Sequence, residues 1–343
     1  MRRLKILATA LLVSASGVRA DVPNVVVDIP PVFSLVSSVM QGVGTPKLLL
    51  RGNESPHNFA LRPSQRRDLG QADIIFWIGE GLTPWLEKAQ ASLTQTPISV
   101  ALGEQTGVVQ LSFREGAFFE NHGDHDDHGD HDGRGEVNGH TEHNRAETHE
   151  NAAAHDGKDH QDHAGHDHAG LDPHFWLDPE NAIHWIYTIA DILSQKDPEN
   201  AGAYYANATR TKASLELLNK NIAQQLAPHR AERFLIVHDA FQYFEARFGL
   251  AAQGAISDGH AAPPSAARIL AIRKLMQDQK ISCVFAEPGY NAKLLDNLIS
   301  ETSVRLKQLD PLGAGLPLDH TLYEAVLQNM ADTMVACFTN NEG

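Results

Sequence analysis

The sequence predicts an α/β fold of two (β/α) lobes with parallel-type sheets joined by one long α-helix, on three observations. Short apolar runs alternate with helical patterns along the chain. The runs are mostly continuous rather than alternating, as in strands buried on both faces of a sheet. They fall into two groups, four before residue 103 and three after residue 233, with helical sequence between. The length of 343 residues, 42% of them hydrophobic, suffices for one large or two medium domains with real cores. A formal net charge of -15 argues against nucleic acid as a partner, since that requires a basic surface to displace counterions from phosphates.

In chain order, residues 1–20 read as a cleaved signal peptide. Arg2, Arg3 and Lys5 form a cationic start, an apolar run follows from Ile6 to Val13, and Val18-Arg19-Ala20 offers a small-residue cleavage site. The apolar run is far shorter than the roughly 18–20 residues that span a bilayer. The mature chain is expected to begin near Asp21, outside the cytoplasm. Strands are expected at 24–28, 47–50, 73–79, 98–102, 234–237, 281–286 and 305–309. A helix is expected over 267–279, where Ile269, Leu270, Ile272 and Leu275 approximate a stripe. Two further helices open on the same signal, Asp178-Pro179-Glu180 and Asp197-Pro198-Glu199: an Asp N-cap, a Pro at the first position and an acid in the first turn. The second runs to about Leu226 with Leu215, Leu218, Ile222 and Leu226 on one face. At 1.5 Å per residue it is a rod of roughly 43 Å, long enough to pass along both lobes. The expected division is therefore an N-terminal lobe over 21–196, a linking helix over 197–228 and a C-terminal lobe over 229–343.

Residues 122–168 belong to neither lobe. They hold 12 histidines, 13 acids, three bases and six apolar residues, all Ala or Val. Such a stretch buries too little apolar surface to offset its ordering entropy and is expected to be a disordered loop. Its imidazoles and carboxylates suit divalent transition metals. His122, His125, His128, His131, His160, His163, His166 and His168 are the candidate auxiliary ligands. The two cysteines, in an exported chain, are expected to form a Cys283–Cys337 disulfide between the last helix and a central strand.

Outside that loop three histidines stand out. His57 follows the strand at 47–50, and His238 is the first residue past the strand at 234–237. Ligands in open α/β sheets bind beyond the carboxyl ends of strands, where both belong. His174 lies just after the loop in Asp172-Pro173-His174-Phe175-Trp176. Singly each is a weak signal, since histidine has many structural roles. His184, in a helix beside Trp185, reads as packing or surface, and His260 as a loop residue.

Five segments together carry a resemblance: His57-Asn58-Phe59-Ala60-Leu61-Arg62-Pro63-Ser64, residues 172–180, His238-Asp239-Ala240-Phe241-Gln242-Tyr243-Phe244, Phe285-Ala286-Glu287-Pro288 and Leu309-Asp310-Pro311-Leu312-Gly313. In this order, over nearly the whole mature chain, they resemble the metal-binding receptors of bacterial ABC transporters, most closely the zinc-uptake branch. The resemblance implies metal held in the interlobe cleft by His57, His174 and His238. It also implies a His-rich loop at this point in the chain, and delivery of the metal to a permease powered by a cytoplasmic ATPase. Manganese-binding relatives carry a carboxylate where His238 stands, and three neutral imidazoles suit Zn²⁺ better than the harder manganese ion. The fourth position is open. Some zinc-binding relatives have a glutamate just before the first ligand, where this chain has Pro56. Asp310 or water is the better candidate, Asp310 either as a ligand or as an acceptor fixing an imidazole; Glu54 and Glu287 rank behind.

The expectation is thus a periplasmic zinc receptor without catalytic turnover, a monomer reaching the inner membrane only through its permease. Its rivals are the same fold carrying manganese, nickel or copper, and a secreted zinc hydrolase, since three histidines plus water is also a catalytic pattern. Against the hydrolase, there is no His-Glu-x-x-His sequence and no strong general base beyond Glu287 or Asp239.

Overall fold

A computed structural model describes residues 22–51, 54–114, 118–119, 170–257, 264–290, 292–300 and 302–340. The expected signal peptide, the His-rich loop with its eight candidate histidines, and His260 lie outside the described residues.

The first lobe places β1 (Val25–Val27), α1 (Pro30–Val39), β2 (Lys47–Leu48), α2 (Pro63–Gly70), β3 (Ile74–Trp77), α3 (Pro84–Gln90) and β4 (Ile98–Ala101) in sequence. Then come α4 (Pro179–Lys196) and α5 (Ala201–Leu226). The second lobe follows with β5 (Phe234–His238), α6 (Gln242–Phe248), β6 (Ala255–Ser257), α7 (Ala266–Asp278), β7 (Cys283–Ala286), α8 (Ala292–Ile299), β8 (Arg305–Gln308) and α9 (Leu322–Phe338).

Among the described residues the strands form two four-stranded sheets, ordered β2-β1-β3-β4 and β6-β5-β7-β8, and every pairing is parallel. The central strands β1, β3, β5 and β7 are buried throughout, as their continuous apolar sequences require. In each sheet the chain leaves the first strand for an edge and returns to its other side, so a crevice opens between β1 and β3 and between β5 and β7.

One continuous core runs between the sheets. It joins the inner face of each to α1, α4, α5 and α9 through residues such as Val36, Trp185, Leu215, Phe285 and Met334. The outer faces have their own smaller cores, Leu69 and Leu86 covering the first sheet and Ile272, Met276 and Leu298 the second. α9 lies against α1 of the first lobe as well as against α5 and β8. The Cys283–Cys337 disulfide, with Cα atoms 6.2 Å apart, fastens α9 to β7, as the sequence leads one to expect. Among the described residues no helix is long and apolar enough to cross a membrane.

The two Asp-Pro-Glu signals part company. Asp178 caps α4, accepting from the Glu180 amide at 2.9 Å, and both its oxygens also accept from Arg247 at 2.7 Å. Asp197 does not cap α5. Its Oδ2 accepts instead from Tyr204 Oη and Asn200 Nδ2, both at 2.8 Å, and Pro198–Asn200 forms a 3₁₀ turn ahead of the helix. α5 is thereby 26 residues long, about 39 Å at 1.5 Å per residue, slightly shorter than expected.

Residues 172–178, expected in the N-terminal lobe, are hydrogen-bonded to second-lobe residues. Tyr243 Oη donates to Asp172 O, Trp176 Nε1 to Pro311 O, and Tyr323 Oη to Trp176 O. This segment is stitched to the second lobe although α4, which it leads into, packs against α5 and α1. β6 is absent from the expected strands; α7 turns the expected face inward, with Ile272 buried and Ile269 and Leu275 packed against the same core, except that Leu270 is 64% exposed and Met276 is buried instead.

Candidate metal centre

Each ligand candidate reaches the cleft by its own route. His238 closes β5, at the carboxyl end of the crevice between β5 and β7, and is 3% exposed. His174 precedes the 3₁₀ turn Phe175–Leu177 that leads into α4 and is 2% exposed. His57, half-buried, stands on the connection between β2 and α2. That connection is held by Trp85 of α3, whose Nε1 donates to Pro56 O at 2.7 Å and whose ring lies 5.1 Å from that of Phe59.

The three imidazoles converge. Their ring centroids are 5.1 Å apart for His174 and His238, and 5.7 Å from His57 to each. One donor nitrogen from each lies within 4.8 Å of the others. A tetrahedral zinc ion with Zn–N bonds of about 2.0–2.1 Å holds its nitrogens roughly 3.3 Å apart, so a small contraction closes the triad on an ion. The three line a cavity of about 240 Å³ with Trp176, Glu287, Tyr290 and Asp310 on its walls. The ring of Trp176 lies 5.3 Å from that of His174 and closes one side.

Two carboxylates aim two of the rings. Asp172 Oδ1 lies 2.7 Å from His174 Nδ1 and also accepts the His174 amide at 3.0 Å. Glu287 Oε1 lies 3.1 Å from His238 Nδ1. An ionised carboxylate accepts, so a ring paired with one carries its proton on Nδ1. This is the usual carboxylate–histidine–metal arrangement. Burial pushes the Asp172 carboxyl up to about 7, against the opposing pull of the His174 amide and Arg114. Burial acts on Glu287 in the same direction, but the neighbouring imidazoles, His238 foremost, outweigh it and hold its carboxyl below the ordinary value.

The remaining sequence candidates are occupied differently. Asp310 lines the cavity, but it is not in the triad that could hold an ion. Its Oδ1 accepts the amides of Leu312 and Gly313 at 2.9 and 2.8 Å and its Oδ2 that of Ala314 at 2.6 Å, so it shapes the turn beyond β8. The acceptors that meet the Nδ1 atoms of His174 and His238 are Asp172 and Glu287. Glu54 accepts the Arg51 amide at 3.1 Å and pairs with Arg62, which holds the His57 connection rather than the centre. His184 is exposed on α4, as expected. Asp172 was not singled out by sequence, although Asp two residues before His is the spacing of an Asx turn and was available as a signal.

Comparison with known proteins meets this geometry directly. The family model described as zinc-uptake complex component A, periplasmic (ZnuA), matches residues 25–337. The chain belongs to that family. Relatives called high-affinity zinc uptake system protein ZnuA include that of Brucella suis, 42% identical over 335 residues and 97% of both chains. That of Paracoccus denitrificans is 43% identical over 333 residues, again 97% of both. In solved structures the ZnuA fold recurs. A crystal structure of ZnuA superposes with TM-score 0.66 at 23% identity, covering 91% of this chain and 99% of the other. A zinc-bound deletion mutant of ZnuA gives 0.68 at 23% identity, with 93% and 98% covered.

Proposed function

We propose that this chain is a periplasmic receptor that captures Zn²⁺ between His57, His174 and His238 and delivers it to an ABC permease driven by a cytoplasmic ATPase. The observation that carries the reading is the convergence of three imidazoles, drawn from segments far apart in sequence, with donor nitrogens within 4.8 Å of one another. Family membership supports zinc as the cargo, and so does the chemistry: three neutral imidazoles favour zinc over the harder manganese ion. Water completes a four-coordinate site, with Asp310 on the cavity wall outside the converging triad. The ion is cargo rather than a catalyst, so the site needs to bind and release it and no turnover follows. The receptor acts as a monomer, exported by the signal peptide at residues 1–20, and the His-rich residues 122–168 supply weaker auxiliary sites.

Competition of the metal-free chain against a chromophoric zinc chelator tests this reading. One tight equivalent is expected, abolished by His238→Ala, together with weaker equivalents that vanish on deletion of residues 122–168. Loss of the tight equivalent on that deletion would contradict the division between cleft and loop. Survival of the tight equivalent in His238→Ala would contradict the cleft site.

A further inference from the structure

The segment that follows β4 sends one cation beneath the metal centre. Arg114 is 16% exposed, and its guanidinium spans two carboxylates that are 4% and 3% exposed, those of Asp239 and Glu245. Its Nε lies 3.1 and 3.2 Å from the two oxygens of Asp239, and its Nη2 also pairs with Asp239. Towards Glu245 of α6, Nη1 donates at 2.8 Å and Nη2 at 3.0 Å. The ring of Phe119 covers one face of the guanidinium, its centroid 3.9 Å from Cζ. All three polar ends of the fork are thus satisfied in a fixed plane, a use of arginine that lysine does not reproduce.

What Arg114 holds are two carboxylates on the stretch that carries His238. Asp239 directly follows His238, so clamping its carboxylate fixes the chain at the end of β5 from which the imidazole projects. Glu245 lies one turn into α6. The first turn of that helix also carries Tyr243, whose Oη accepts the Leu111 amide at 2.9 Å and donates to Asp172 O at 3.0 Å. The Gln242 amide, with its oxygen and nitrogen interchanged, donates to Asp172 Oδ2 and to Ser112 O, both at 3.1 Å. Asp172 is the carboxylate that aims His174. Residues 111–114 therefore reach both buried ligands, His238 through Asp239 and His174 through α6 and Asp172. The third ligand, His57, is held separately by Trp85.

We infer that Arg114 is a positioning residue for metal capture: it clamps Asp239 and Glu245 and so sets the relative aim of His238 and His174 without touching the ion. The inference rests on the reading of the three histidines as one metal site. It goes beyond that reading by making the geometry of two ligands depend on a residue of a different segment, at the foot of the His-rich stretch.

The test uses the full chain with Co²⁺, whose visible absorption reports ligand number and geometry, and with Zn²⁺ under chelator competition. The His238→Ala chain supplies the spectrum of all other histidines for subtraction. Arg114→Lys keeps the charge but loses the planar fork, and Arg114→Gln removes both. For Arg114→Lys the expected results are a cooperatively folded chain, a roughly 10-fold loss of zinc affinity, within the range found when supports of metal ligands are altered, and a changed Co²⁺ band shape at saturation. Arg114→Gln is expected to lose more, and if it does not fold, Arg114→Lys decides alone. A variant with lowered melting temperature but wild-type Co²⁺ spectrum and zinc affinity would overturn the inference, leaving Arg114 a stabilising residue only. Failure of the wild-type chain to show any Co²⁺ spectrum lost in His238→Ala would instead refute the metal site itself.

Discussion

In the first sheet β1 is followed by Asp28; in the second, β5 ends in His238. Both sheets have the same connectivity, so these residues occupy equivalent places, at the carboxyl end of the crevice where the strand order reverses. Each also ties its strand to the neighbour across the crevice. Asp28 accepts the amide of Ile78, just past β3, at 2.8 Å, and His238 meets Glu287, just past β7, at 3.1 Å. The chemistry differs in what is left over. Asp28 accepts the Ile29 amide with its other oxygen, and with 0% exposure it has nothing to offer a ligand. His238 instead lines the cavity and converges with His57 and His174. One crevice is therefore sealed and the other open, and the first lobe brings its member of the histidine triad, His57, from the connection after its edge strand instead. A shared topology supplies equivalent positions, and the side chain placed there decides whether the position braces the sheet or binds.

Breaking the brace peculiar to the second lobe should have the largest effect. Cys283 and Cys337 are 54 residues apart, and a closed loop of that size is worth about 4 kcal/mol in the chain-entropy account. The Cys283→Ser, Cys337→Ser chain is expected to lose roughly that much in denaturant unfolding, and a loss below about 1 kcal/mol would count against it.

Next comes the open crevice itself. Replacing His238 by Ala removes a ligand and should weaken zinc binding by more than the roughly 100-fold that outer supports command, or more than about 2.7 kcal/mol. The supports follow. Asp172→Asn and Glu287→Gln, each removing the carboxyl that meets an imidazole Nδ1, should each cost roughly 10- to 100-fold in zinc affinity by chelator competition. Equal losses for the ligand and its supports would erase the distinction drawn between them.

The sealed crevice is tested by pH. Burial raises the Asp28 carboxyl from 3.8 to about 7, with the Ile78 and Ile29 amides and the Thr83 hydroxyl opposing. The folded state therefore binds a proton that the unfolded state has released between about pH 4 and 7, so stability falls as pH rises through that window and levels off above it. Near pH 6 the difference in unfolding free energy between wild type and Asp28→Asn should shrink by about 1 kcal/mol per pH unit. A difference independent of pH from 5 to 7 would show that Asp28 stays ionised. The smallest effect is expected far from either crevice. Lys274 pairs with Asp278 one turn along α7, with both side chains largely exposed, and Lys274→Ala should change stability by no more than about 0.5 kcal/mol.

How legible this was in the sequence varied with distance along the chain. The central strands announced themselves because Ile74–Trp77 or Cys283–Ala286, buried on both faces, must be apolar without interruption. β6 did not, since Ala255, Ile256 and Ser257 include a single large apolar residue and take their place by pairing with β5. Asp178 capped as its pattern says, whereas Asp197 was claimed by Tyr204, a competition invisible to a local rule. The three histidines that converge were named as candidates from their motifs. Their supports were not all found, because the partners of Arg114 lie 125 and 131 residues further on, and nothing local marks that pairing.

The most direct test of three imidazoles on one ion is zinc-edge X-ray absorption on the chain lacking residues 122–168, loaded with one equivalent of Zn²⁺. The spectrum should show three imidazole nitrogens near 2.0–2.1 Å and one oxygen, and His57→Ala should remove one imidazole from the count. A shell dominated by carboxylate oxygen, or a spectrum unchanged by His57→Ala, would contradict the account.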